Sequence, residues 1–181
     1  MRQMVFNFIV FANGYILGGD FNFQSLFSDY EIVKAIGQGG FGKVMLGIHR
    51  VTKQKVAMKF VDSSAYGDAS TVNGIFNESA TLANLKHPNI VEIINTISLP
   101  NNSTVFIMEY LEGGELKEFM MKKNSLSEKE AREIFIQIAH ALNFCHSEHC
   151  IHRDLKFENV LLAKKDSLLI KVDIFHSFLR Y

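Results

Sequence analysis

A chain of 181 residues, 48% apolar and 21% charged, is sized for one domain, too short for two well-cored ones, and too ordinary in composition for collagen-like repeats, coiled coil or wholesale disorder. Nineteen Lys and Arg balance nineteen Asp and Glu, which removes the electrostatic argument for a nucleic-acid or membrane partner. Two cysteines, Cys145 and Cys150, are too few for a disulfide framework and fit a reducing compartment.

The first thirty residues differ from the rest. Met4 to Leu17 is apolar but only fourteen residues long and interrupted by Asn7 and Asn13, short of the roughly 20 apolar residues that a spanning helix needs. Arg2, the apolar run and Gly18-Gly19 imitate a signal peptide, a reading disfavoured because the remainder reads as a cytosolic enzyme. Residues 1–29 are therefore expected to form an extension outside the core, with Phe6, Phe8, Phe11, Phe21, Phe23 and Phe27 available to pack on the sheet that follows. One folded unit, residues 30–181, begins near Tyr30.

From Tyr30 to Phe60 apolar residues recur at strand period in Tyr30-Glu31-Ile32-Val33, Val44-Met45-Leu46 and Val56-Ala57-Met58-Lys59-Phe60, which predicts a three-stranded meander. Between the first two strands lies Gly37-Gln38-Gly39-Gly40-Phe41-Gly42-Lys43-Val44, a G-x-G-x-x-G-x-V run. Glycines there let backbone N–H groups approach phosphate oxygens. A dinucleotide-binding loop would open a helix, but Lys43 to Leu46 continues as strand, which favours a glycine-rich hairpin.

Lys59 stands among apolar neighbours, and a buried ammonium is tolerated only when paired. Thr71 to Leu85 carries Ile75, Glu78, Leu82 and Leu85 at helical spacing, so Glu78 is the expected partner. A strand over Thr104 to Met108 leads into the linker Glu109-Tyr110-Leu111-Glu112-Gly113-Gly114-Glu115-Leu116. Met120 to Lys123 closes a short amphipathic helix. Ser127-Glu128-Lys129-Glu130 is a capping box opening a longer one, with an apolar stripe at Ala131, Ile134, Phe135, Ile138, Leu142 and Cys145. Asp154, Lys156 and Asn159 then fall within six residues. A carboxylate, a cation and a carbonyl donor are the parts that phosphoryl transfer needs.

With those motifs in order, the chain resembles the eukaryotic protein kinases over Tyr30 to Val172. Asp154-Leu155-Lys156 with Asn159 follows the serine/threonine pattern, and Gly113-Gly114-Glu115-Leu116 looks most like the calcium/calmodulin-dependent and AMP-activated branch. The resemblance implies an α+β, two-lobed kinase fold with a complete β-rich small lobe and a partial helical large lobe. It implies ATP and magnesium as cofactors and transfer of the γ-phosphate to Ser/Thr hydroxyls of protein substrates, in the cytoplasm with the nucleus left open. Ile36 and Val44 would roof the adenine, Ala57 would flank it, Met108 would be the gatekeeper, and Glu109 and Leu111 would offer backbone hydrogen bonds. Gly37, Gly39 and Gly42 would drape the phosphates, and Lys59, paired to Glu78, would hold them. Asn159 would bind magnesium, Asp154 would orient the hydroxyl and accept its proton, and Lys156 would neutralise the transferred group. Glu115 and Glu158 match positions that read a basic residue before the phosphoacceptor.

Two departures qualify this. The family's Asp-Phe-Gly meets Leu169-Ile170-Lys171-Val172-Asp173-Ile174-Phe175-His176. If Asp173 is the metal ligand, Lys171 falls where the strand should point inward. If Ile170 and Val172 keep inward parity, the ligand position is Ile174, which cannot bind magnesium, and Asp173 reaches the metal only through a bulge. The parity argument favours the second register. The domain also resembles one truncated after the catalytic loop, about a hundred residues short of the family's usual end. The alternative function is an ATP-binding pseudokinase or non-catalytic fragment acting as a scaffold. Cys145-His146-Ser147-Glu148-His149-Cys150-Ile151-His152 fits no zinc spacing, and Asn101-Asn102-Ser103 reads as a hairpin turn.

Overall fold

The computed structural model describes residues 27–39, 42–61, 85–99 and 104–174. The chain before Phe27, most of the expected helical segment Thr71 to Leu85 including Glu78, the Asn101-Asn102-Ser103 turn and everything from Phe175 onward lie outside these residues.

The first half is a five-stranded antiparallel sheet ordered β1-β2-β3-β5-β4. Its strands are β1 (Tyr30–Gly39), β2 (Gly42–His49), β3 (Lys55–Val61), β4 (Ile93–Ser98) and β5 (Thr104–Glu109). The meander expected from the alternating pattern is β1 to β3. Side chains alternate across a strand, and β3 shows what this does. Val56, Met58 and Phe60 join Met45, Val105 and Ile107 in one apolar cluster, while Ala57 and Val61 join Phe106 and Met108 in the other. By the same alternation Lys59 shares the face of Ala57 and Val61, the face toward the helical half. Phe27, assigned by sequence to the extension, is 8% exposed and sits with its ring centroid 6.0 Å from that of Phe60. The packed unit therefore reaches at least three residues ahead of Tyr30, because an aromatic ring can cover the apolar edge of the sheet.

The second half contains β6 (Gly114–Glu115), α1 (Leu116–Lys123), α2 (Glu128–Ser147), a 3-10 turn (Phe157–Asn159), β7 (Val160–Leu162) and β8 (Ile170–Val172). The small sheet runs β6-β7-β8, antiparallel throughout. Residues 89–91 lie along the free edge of β8. Val172 N–H donates to Asn89 O at 2.8 Å and Val91 N–H to Val172 O at 3.0 Å, so the two halves share backbone hydrogen bonds as well as one apolar cluster.

Helix α2 starts as its sequence requires: Glu130 N–H donates to Ser127 Oγ at 3.3 Å and Ser127 N–H to Glu130 Oε2 at 2.9 Å. Lys123 and the capping contacts hold the Glu130 carboxyl down to about 2. The buried face of α2 is narrower than the expected stripe. Ile134, Ala141 and Cys145 are buried and Ile138 packs against them. Ala131 is exposed, and Phe135 is 69% exposed because a residue one step from Ile134 is rotated by about 100° around the helix. Replacing Ser127 with Ala is expected to lower the free energy of unfolding by about 1 kcal/mol without changing the denaturant slope, read by urea denaturation.

Candidate active site

The cleft lies between the sheets. Its upper wall is the β1–β2 hairpin, paired Gly37 with Val44, Gln38 with Lys43 and Gly39 with Gly42. The chain continues as strand after the glycine run, so the hairpin expectation holds. Gly42 has φ +132°, and a Cβ there would lie 1.9 Å from Phe60 O, so this position is glycine for packing reasons. A Cβ on Gly37 would meet only Val44, at 3.8 Å. Nothing local demands glycine there. Val44, Tyr110, Leu111 and Leu161 pack on the cluster containing Ala57 and Met108, giving an apolar slot beside the linker that follows β5. Ile36 is exposed at the hairpin. Leu161, on β7, is a wall of the slot that the sequence motifs did not single out.

The linker is clamped. Glu109 Oε1 accepts from Lys171 Nζ at 2.6 Å and from Glu92 N–H at 2.8 Å, and Glu109 N–H donates to Glu92 O at 3.1 Å. Lys55, at the start of β3, pairs with Glu112 at 2.6 Å.

Below, the catalytic-loop residues converge. Lys156 Nζ lies 2.9 Å from Asp154 Oδ2. Asn159 Nδ2 donates to Asp154 O at 2.7 Å and reaches Asp154 Oδ2 at 3.3 Å. Arg153, in between, adopts φ +55°, a strained conformation of the kind concentrated at functional sites. His152 is buried; its Nδ1 accepts from Asp154 N–H at 3.4 Å while Nε2–H donates to Asp173 O at 3.1 Å. Asp173 N–H donates to Asn159 O at 2.7 Å. His152 and Asn159 thus tie this segment to the residue that follows β8.

Strand β8 keeps Ile170, Val172 and Ile174 inward, with Ile174 2% exposed in the main cluster. This is the parity the sequence favours. Lys171 sits on the alternate side, toward Glu109 rather than inward. β7 and β8 pair with no register shift up to Val172, and Asp173 follows directly, its N–H bonded to Asn159 O. Lys59 is 3% exposed. Burial pushes its ammonium below the usual lysine value, and the Asp173 charge works against that. Glu115 is half-buried, and burial, followed by the charges of Glu118 and Glu158, raises its carboxyl. Glu158 is already paired with Lys117 at 2.9 Å. Glu78 lies outside the described residues.

Comparison with known families matches the protein kinase domain over residues 30–175. The chain belongs to the protein kinase family. Among curated proteins it is 39% identical over 140 residues to "Probable serine/threonine-protein kinase MARK-A" of Dictyostelium discoideum, covering 77% of this chain and 13% of that one. It is also 39% identical over 134 residues to the carbon catabolite-derepressing protein kinase of Candida glabrata, covering 74% of this chain and 22% of that one. The chain therefore spans only a small part of these relatives. Among solved structures, Rad53 in complex with AMP-PNP superposes with a TM-score of 0.74 at 32% identity, over 82% of this chain and 38% of that one. The likeness to Ser/Thr kinases and the two-lobed fold expected from the motifs are both met.

Kinase-family cofactors can be tested against these residues. Among the described residues no group of three or more His, Cys, Asp or Glu is placed to hold a metal ion. Magnesium bound to a nucleotide needs no such cage: one or two carboxylates plus phosphate oxygens and water suffice. Asn159 and Asp173, joined by the bond from Asp173 N–H to Asn159 O and with the Asp173 charge acting on buried Lys59, fit that demand.

His152 sets a pH dependence. Burial lowers its imidazole below the ordinary value despite the nearby Asp173 and Asp154. As pH falls through about 6.5, the unfolded chain takes up the proton first, so stability is intact above that pH and declines below it. Urea unfolding at about pH 7.5 and pH 5.5 should show lower stability at the acid end, with a smaller difference for His152→Gln. His87, also lowered mainly by burial, retains the remainder.

Proposed function

We propose that this domain transfers the γ-phosphoryl group of ATP to serine or threonine hydroxyls of proteins. The observation that carries this reading is the Asp154 carboxylate, 2.9 Å from Lys156 Nζ and 3.3 Å from Asn159 Nδ2, on a loop tied to the strand that brings Asp173 near Lys59. Membership of the kinase family and the Ser/Thr kinases among its relatives support it.

Ile36 and Val44 roof the adenine, with Ala57 and Leu161 on either side, Met108 at the back, and Glu109 O and Leu111 N–H as edge partners. Gly37, Gly39 and Gly42 admit the phosphates; the open space around a Cβ at Gly37 suits close approach by a ligand. Lys59, supported by Glu78, holds phosphate oxygens. Its buried position makes the charge worth more than it is in water. Asn159 and Asp173 would hold magnesium, which neutralises phosphate charge. Asp154 orients the substrate hydroxyl and takes its proton, and Lys156 beside it balances the charge developing on the transferred group.

The substrate class is protein, with a basic residue before the phosphoacceptor read by Glu115 and Glu158. Because Lys117 already occupies Glu158, an incoming arginine has to displace it, and Glu115 carries more of the preference. The two buried cysteines, Cys145 and Cys150, carried as thiols, support a cytoplasmic setting. A second reading, nucleotide binding without transfer, is favoured by Ile174, an apolar core residue next to the only carboxylate that β8 offers the cleft.

Magnesium-dependent transfer of labelled phosphate to a Ser/Thr peptide decides between them. Lys59→Ala and Asp154→Asn should each lower kcat by at least about a hundredfold, and Asp173→Asn should remove the magnesium dependence of nucleotide binding. Nucleotide binding that ignores both magnesium and Asp173→Asn, with no transfer by the unaltered chain, would sink the kinase reading and leave the second.

A further inference from the structure

We infer that Gln137, in the middle of α2, is a positioning residue that anchors the start of β8 and thereby holds Asp173 at the nucleotide cleft. This rests on the nucleotide-binding role proposed above. Gln137 uses both ends of its amide. Oε1 accepts from Asn89 Nδ2 at 3.0 Å and from Ile170 N–H at 3.0 Å, and Nε2 donates to Leu168 O at 2.8 Å and Glu133 O at 3.1 Å. Asn89 adds a bond from Nδ2 to Ile170 O at 2.9 Å. One side chain thus joins the helix, the 89–91 segment and the first residue of β8.

Register in a strand this short needs outside support. Three residues make few ladder bonds, and a slip by one exchanges the two faces. Such a slip would bury Lys171 and Asp173 and turn Ile170, Val172 and Ile174 toward the cleft. Apolar burial opposes that slip, but it does not choose between the present pairing and one displaced by two, which preserves parity. A shift by two would carry Lys171 or position 175 to the place of Asp173. The Gln137 amide opposes such a displacement by fastening the backbone of Ile170 and Leu168 to α2, since any slide of the strand first breaks both bonds. Its own satisfaction is the other half: a half-buried amide left with open donors or acceptors loses free energy, so the clasp resists sliding.

The test uses the whole chain with Gln137→Glu, which keeps the acceptor for Asn89 and Ile170, and Gln137→Met, which keeps length and helix propensity but no polar atom. Amide hydrogen exchange is read at Val172 and Asp173, which do not touch Gln137, and at Ile107 in β5 as a control. Affinities for Mg·ATP and for adenosine, which lacks phosphates, are measured by calorimetry. Gln137→Met should speed exchange at Val172 and Asp173 by about tenfold or more and weaken Mg·ATP about tenfold, with adenosine within about twofold; Gln137→Glu, which keeps the acceptor but sets an oxygen against Leu168 O and Glu133 O, should lie between Gln137→Met and the unaltered chain. Unchanged exchange at Val172 and Asp173 in Gln137→Met overturns the inference. So does an equal loss at Ile107 and of both ligands, which marks general destabilisation. If the unaltered chain binds neither ligand, the nucleotide reading fails, while the exchange data still decide the clasp.

Discussion

Strand β8 has its backbone bonded on both edges, to β7 on one side and to residues 89–91 on the other. Buried N–H and C=O groups must find partners, and here meeting that demand joins the two halves of the molecule. Ile170 and Val172 are fully buried in the cluster that also holds Phe106 and Ile134. With those side chains committed inward, the intervening Lys171 and the following Asp173 have only the cleft side left to them. The Glu109 clamp on the linker and the charge facing Lys59 both follow from this one pairing.

The cleft concentrates charge where water is scarce. A buried ammonium such as that of Lys59 is costly in isolation, and the Asp173 charge offsets part of that cost. Asp154 and Asp173 sit on segments held by short backbone bonds through His152 and Asn159, so their positions are set before any ligand arrives. Preorganised charge of this kind is what phosphoryl transfer draws on, and it is consistent with membership of the protein kinase family. The same site carries a departure, an isoleucine packed into the core immediately after Asp173.

Much of the fold was legible because its signals are local. Alternation over Tyr30 to Phe60, the glycine run between strands and the Ser127 capping box each depend on residues a few positions apart, and each appears where the pattern put it. The α2 stripe was legible only in outline. Periodicity identifies a face, but how wide that face is depends on what packs against it, and Phe135 finds no cover among the described residues. Glu158 shows the same limit, since nothing in its own segment announces that Lys117, on another element, occupies it.

The sequence by itself determined the family, the strand order of the meander and the closeness of Asp154, Lys156 and Asn159, because spacing within one segment suffices for all of them. It also determined that Ile170 and Val172 face inward, since parity is a property of a strand. Only the tertiary structure decided what stands opposite. That Lys171 reaches Glu109, that Leu161 packs on the cluster of Ala57 and Met108, that the Asp173 charge acts on Lys59 and that Gln137 clasps three elements at once are all relations between residues far apart along the chain. Such contacts are selected by packing and by the pairing of buried polar groups, which no local pattern encodes.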